Sequence, residues 1–244
     1  MSSESKSNND GESFEEKFHQ LYPERRGDQK IDTSTWLAGN RTSTIRSCEK
    51  NVVACFEKVS YLRHLWGAIE SHGCKLDLRR HFSCDICEPG EHLGVYDPDT
   101  CQNVVCANNI ASKSAGTCCG VLIKNMIEMF DHCVYKKSNE NVDQLACTEI
   151  RKANFSNCNF MLHLTSTKKD EQFGIIDNHK NCVRKAATES LVKTRLVPED
   201  KAVEAINKVF DKCYRDLEPV GRRPISREDM KAAYEERYLC GYSK

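Results

Sequence analysis

Fifteen cysteines in 244 residues, at positions 48, 55, 74, 84, 87, 101, 106, 118, 119, 133, 147, 158, 182, 213 and 240, limit what this chain can become. They are spread along the sequence instead of gathered at one end. So many scattered thiols would be unusual in a reducing cytosol, and an oxidising compartment with several disulfides is the reading they favour. The count is odd, so at least one sulfur stays a thiol, binds elsewhere or joins another chain. Spacing alone does not fix the connectivity. A structural zinc site is the competing reading for part of the set, because Cys84-x-x-Cys87 followed by Cys101 and Cys106 loosely resembles a zinc ribbon. Four residues separate the second pair, however, and the other cysteines would still need a role.

Charge and hydropathy exclude some partners. Lys plus Arg and Asp plus Glu are 36 each, a formal net charge of zero. No basic stripe with interleaved aromatics appears, which argues against a nucleic-acid partner. No apolar run is long enough for a transmembrane helix. Residues 1–35, beginning MSSESKSNNDGESFEEKFHQ, are polar and carry several acids, the composition of a disordered tail. They have neither the apolar centre of a secretory signal nor the Arg-rich, acid-poor character of a transit peptide. Any compartment other than the cytosol is therefore expected to be reached by internal signals.

Periodicity gives a mainly helical chain. Residues 44–72 read as a helical region with apolar positions recurring at three and four, and Gly73 as its stop. CKLDLRRHFSCDIC alternates as a half-buried strand would, and GVYDPDTCQNVVCANN reads as two short strands around a turn. Helices are expected over roughly 117–135, 145–158, 182–196 and from Pro198 to about 217, with a charged loop over 164–178. The segment from Arg222 is charged and is compatible with a short terminal helix. The sum is a mainly helical α+β domain with a small sheet before its central helix.

That central segment, GVLIKNMIEMFDHC, is apolar nearly all round, as a buried helix is. It nevertheless stacks Lys124, Glu128 and Asp131 or His132 on one face, with Asn125 beside them. Zinc peptidases of the zincin type carry H-E-x-x-H on such a helix. Two imidazoles at i and i+4 reach one ion, and the Glu takes a proton from zinc-bound water. Lys124-Asn125-Met126-Ile127-Glu128 occupies that frame here.

The segments CDIC, GVYDPDTCQNVVCANN, MFDHC, LACTEIRKANFSNC, CVRKAA and KVFDKCYRDLEPVGRRP, in this order, closely resemble one family. It is the mitochondrial inner-membrane-associated metalloprotease that matures a subunit of the ATP synthase and helps assemble its membrane sector. The resemblance covers roughly residues 45 to 224. It implies a zincin-like, disulfide-rich single domain over 36–224, followed by a charged C-terminal tail over 225–244. It also implies zinc as the family's cofactor, the intermembrane space, peripheral attachment to the inner membrane and ATP synthase subunits as clients. The disulfide candidates within the resembling region are Cys74, Cys84, Cys87, Cys106, Cys133, Cys147, Cys158, Cys182 and Cys213.

The family pattern at the helix looks like HELIHAFDHC, so Lys124 stands for the first ligand, Asn125 for the base and Glu128 for the second ligand. Lysine at neutral pH only donates, and asparagine accepts no proton from water. Glutamate remains a competent ligand, and Glu149, on the following helix, could by analogy be a third. No ligand set or base is intact, so no cofactor is expected. Lys124 is expected to replace the metal as a tethered cation, paired with Glu128 and near Glu149. The chain is then a catalytically impaired relative that keeps a chaperone or assembly role. The alternatives are an active zinc metalloendopeptidase with altered ligands and a disulfide-rich binding module without a mitochondrial role.

Overall fold

A computed structural model describes residues 37–136, 141–158, 175–223 and 227–242. The tail over 1–35 and most of the loop over 164–178 lie outside the described residues. Two helices, α1 (Leu37–Lys58) and α2 (Ser60–Ser71), replace the single helical region expected over 44–72. They are separated by Val59, whose extended backbone suits a β-branched residue better than a helix interior does. Gly73 ends α2 with φ +89°, a conformation that costs a side-chain-bearing residue strain.

The segment expected as one strand from Cys74 is strand only at its end. Residues Leu78–His81 form a helical turn, α3, because the Asp77 carboxylate accepts from the Arg79 and Arg80 amides at 2.9 Å each. The strands β1 (Phe82–Asp85), β2 (Gly94–Asp97) and β3 (Gln102–Cys106) follow. The sheet order is β1-β3-β2, with β2 antiparallel and β1 parallel to the central strand β3. A one-turn helix, α4 (Ala107–Ile110), leads to the long central helix α5 (Ala115–Tyr135), whose Ser114 hydroxyl accepts from the Thr117 amide.

Helix α5 lies against the sheet. A Cβ at Gly94 would come within 2.4 Å of the Val104 carbonyl oxygen and 2.7 Å of a Val121 methyl, so only glycine permits this approach. After α5 come α6 (Val142–Lys152), a π-helical turn (Ala153–Asn157), α7 (Ile175–Arg195), α8 (Glu199–Arg215) and α9 (Arg227–Glu235). The helix expected over 145–158 thus changes pitch at Ala153. The C-terminal segment does more than carry charge: α9 packs on α2, and Met230, Ala233 and Tyr242 are buried.

Two large apolar clusters form. The first gathers α1, α2, β1 and α5 around Leu62, Leu65, Leu122, Met126 and Phe130. The second gathers α6, α7 and α8 around Ile150, Val183, Leu191, Ile206 and Phe210. The π turn joins them, since Phe155 belongs to the first cluster while Ala153 and Cys158 belong to the second. This is the α+β architecture that the sequence pattern leads one to expect.

Six disulfides tie the elements: Cys48–Cys84, Cys55–Cys119, Cys74–Cys133, Cys87–Cys106, Cys147–Cys213 and Cys158–Cys182. Cys101, Cys118 and Cys240 are free thiols. This pairing corrects the zinc-ribbon alternative, because Cys84 and Cys87 are bonded to different partners and Cys101 is an exposed thiol. The bridges close segments of 19 to 66 residues. In a chain-entropy account each such closure constrains the unfolded chain by about 3–4.5 kcal/mol. Replacing Cys147 and Cys213 together by alanine should cost about 2–5 kcal/mol, read as a lower midpoint in urea unfolding of the non-reduced protein.

Candidate functional site

The central helix and the helix after it bring together two carboxylates. Glu128 on α5 is 3% exposed and Glu149 on α6 is 2% exposed. Isolated, two ionised groups in such a place would cost several kcal/mol each. They are held by cations. The Lys152 ammonium donates to Glu128 Oε2 and to Glu149 Oε1, 2.9 Å from each. Arg195, at the end of α7, donates from Nη2 to Glu128 Oε1, and its Nε lies 3.8 Å from Glu149 Oε1. The cluster joins three helices at one buried point.

Lys124 is not the cation that fills it. The expected Lys124–Glu128 pair does not form: among the described residues, no carboxylate lies within salt-bridge distance of Lys124. Its side chain is half-buried one turn before Glu128. Burial, reinforced by the neighbouring Lys152 charge and opposed by Glu149, moves its pKa below the ordinary lysine value. The physical reason is competition. Lys152 sits three residues after Glu149 on the same helical face and reaches both carboxylates at full hydrogen-bond contact, so the charge Lys124 was expected to supply is already in place.

Asn125, at the base position, is buried, and its side-chain amide donates to the Val104 carbonyl of β3 at 3.4 Å. It fastens the helix to the sheet. Asp131 and His132 are engaged in other directions. Asp131 is 2% exposed and accepts from the Thr148 hydroxyl at 2.6 Å and from Arg151, which also reaches Asp216 at 2.5 Å. His132 Nδ1 pairs with the Tyr96 hydroxyl of β2 at 2.8 Å. The polar stripe therefore splits into a clamp to α6 and α7, a clamp through Arg151, and a contact with the sheet.

These residues do not fit a zinc ion. Lys124 offers only donors, the Asn125 amide is turned to the sheet, and Glu128 and Glu149 are both committed to cations. Elsewhere, Cys87, His92 and Cys106 bring potential ligand atoms within 4.8 Å of one another. The two sulfurs are bonded to each other, though, and a disulfide supplies no thiolate.

Sequence reasoning missed Lys152 and Arg195. The first carries a signal, its i+3 spacing from Glu149. Arg195 lies 67 residues from Glu128 and carries none.

A family profile described as the Peptidase M76 family matches residues 46–221. The chain is 34% identical over 220 residues to a Xenopus laevis protein called a mitochondrial inner membrane protease ATP23 homolog, covering 89% of this chain and 90% of that one. The homolog of the same name in Danio rerio is 33% identical, covering 89% and 83%. The one in Homo sapiens is 31% identical, covering 89% and 85%. No solved structure matches.

The geometry separates two lysines that sequence alone treats alike. Lys152→Met should destabilise the chain by about 3–5 kcal/mol, because it leaves buried carboxylates short of a partner. Lys124→Met should melt at the same or a higher temperature, since it removes a half-buried charge that has no carboxylate in contact among the described residues. Thermal unfolding of the two variants beside the parent checks both.

Proposed function

The chain belongs to the peptidase M76 family, and we propose that it is a member whose zinc chemistry has been replaced by an internal ion cluster. The observation that carries this reading is the position of the Lys152 ammonium, equidistant from the carboxylates of Glu128 and Glu149. In the H-E-x-x-H frame, Glu128 stands at the second ligand position and Glu149 at a third. A cation tethered to the protein then lies between the groups that would hold a metal. Lys124 and Asn125 supply neither a ligand nor a base. Loss of general-base assistance alone lowers a rate about 10²–10⁴-fold.

What remains is a folded scaffold able to bind polypeptide. An extended client segment would lie along an outer strand of the sheet next to α5, since strand addition uses backbone hydrogen bonds and needs no metal. ATP synthase subunits are the clients implied by the resemblance, and an assembly or chaperone role is the function proposed. Location in the mitochondrial intermembrane space, peripheral to the inner membrane, is supported by three features. The relatives are named as mitochondrial inner membrane proteases. The six disulfides need an oxidising compartment. No helix among the described residues is long and apolar enough to cross a membrane. The domain proposed for this role spans 36–224, with the segment that carries α9 and Tyr242 packed onto it.

Zinc content of the oxidised protein, measured beside peptide cleavage, tests the loss of chemistry. The natural chain should contain far less than one zinc per molecule and cleave nothing. A variant combining Lys124→His, Asn125→Glu and Glu128→His with Lys152→Ala should bind about one zinc per chain, the stoichiometry of a completed three-ligand site. Stoichiometric zinc in the natural chain, mapped near Glu128, would overturn the proposal in favour of an active endopeptidase with altered ligands.

A further inference from the structure

The bridge between Cys87 and Cys106 closes the shortest segment of the six, 19 residues, and a third side chain stands beside it. His92, between β1 and β2, places a ring nitrogen so that it and the two sulfurs all lie within 4.8 Å of one another. Cys87 is 2% and Cys106 0% exposed, and His92 is half-buried. Bonded to each other, the sulfurs ligate nothing. Parted by reduction, they are two thiols next to an imidazole, which is the donor set of a Cys2His zinc site.

Hydrogen bonds that do not involve the sulfurs hold these three residues in place. The Cys87 amide donates to Asn108 Oδ1 at 2.9 Å, and Asn108 Nδ2 donates back to the Cys87 carbonyl at 2.8 Å. Asn109 Nδ2 donates to the carbonyls of Glu88 and His92, at 3.0 and 2.9 Å. The Cys106 amide donates to the Leu93 carbonyl at 2.9 Å. Both asparagines lie on α4, directly after Cys106, so the segment from Cys87 to Leu93 is tied at both ends to the chain around Cys106. The positions of the ligands are thus set by the backbone and two amide side chains. In a tetrahedral zinc site, Zn–S bonds of about 2.3 Å and Zn–N bonds of about 2.0–2.1 Å put ligand atoms roughly 3.5–3.8 Å apart. With no two of the three atoms more than 4.8 Å apart, the imidazole needs to approach by about 1 Å at most to meet that spacing.

We infer that Cys87, Cys106 and His92 form a zinc site in the chain whose Cys87–Cys106 bridge is reduced, so that this one pair of sulfurs alternates between a disulfide and a metal. A dithiol supplies two electrons to the sulfur–sulfur bond and closes to its own disulfide, its two protons passing to Cys87 and Cys106. Zinc then takes both sulfurs as thiolates, and those two protons leave to water. In the other direction, a small-molecule disulfide accepts two electrons from the thiolates and two protons from water and becomes two thiols. The bridge re-forms and zinc departs. While the chain is reduced, the metal keeps Cys87 with its eventual partner and away from Cys84, which is bonded to Cys48 in the oxidised chain. The site shares no residue with the H-E-x-x-H frame on α5.

The test uses the full chain, reduced without denaturant by a trialkylphosphine, which opens disulfides and competes for zinc less than a dithiol does. One equivalent of zinc ion is added, thiols are pulsed with N-ethylmaleimide, and the modified cysteines are identified by mass mapping. Zinc should slow modification of Cys87 and Cys106 about tenfold relative to the metal-free reduced chain, and a chelator should restore it. His92→Ala should weaken zinc binding by at least the roughly 10–100-fold that loss of an outer partner of a ligand costs. That variant is first shown to form the Cys87–Cys106 bridge on oxidation, so that its two sulfurs are known to remain in reach of one another. Zinc that protects neither cysteine would overturn the inference, as would zinc that protects other cysteines in preference. Protection unchanged by His92→Ala would overturn it too. Zinc content of the oxidised chain, which tests the reading of the α5 frame, is a separate measurement, so the failure of one is distinguishable from the failure of the other.

Discussion

Two buried carboxylates facing one another, Glu128 on α5 and Glu149 on α6, set the terms for the rest of the molecule. Neither helix could bring its glutamate there alone, because the desolvation of each ion must be offset by a partner with good geometry. The partners come from two further places, the end of α6 and the end of α7. One buried point therefore fixes the relative positions of three helices. A second clamp lies along the same interface, where Arg151 spans Asp131 and Asp216. Each apolar cluster is held by its own packing, whereas much of the junction between them is ionic, and in a low-dielectric setting such networks are unforgiving of a missing member.

Under the proposed reading, the same arrangement sets chemistry and architecture in competition here. A metal exchanges with solvent and leaves a coordination position open to substrate. A lysine ammonium is tethered, fills its own space and accepts nothing. Once Lys152 and Arg195 satisfy both carboxylates, a dissociable ion has little to gain from the site. Asn125 has an architectural part as well, since its amide donates to the Val104 carbonyl and joins helix to sheet.

Much of this was legible in the sequence, and the failures have physical causes. The central helix, the β2–β3 hairpin and α8 follow from periodicity and capping, which are local. The break at Val59 and the helical turn after Asp77 were missed because tertiary packing and one carboxylate cap outweighed the hydrophobic pattern. The parallel pairing of β1 with β3 depends on where the intervening chain travels, and alternation does not report that. At the site, the stripe on α5 was visible, as was Glu149. The identity of the neutralising cation was not, because it is decided by which side chain reaches two oxygens at once. Lys124 satisfies the spacing rule on α5, but Lys152 satisfies the geometry.

The disulfide pattern has a consequence for how the chain matures. Every bridge in the first half lies between residues 48 and 133, and every bridge in the second between 147 and 213. No bonded pair straddles the boundary. The matching of twelve bonded sulfurs thereby divides into a problem of eight, with roughly a hundred possible connectivities, and a problem of four, with about three. A chain oxidised as it emerges into its compartment can finish the first search before the second set of thiols arrives. An error in one half then stays there, and correcting it does not require undoing the other.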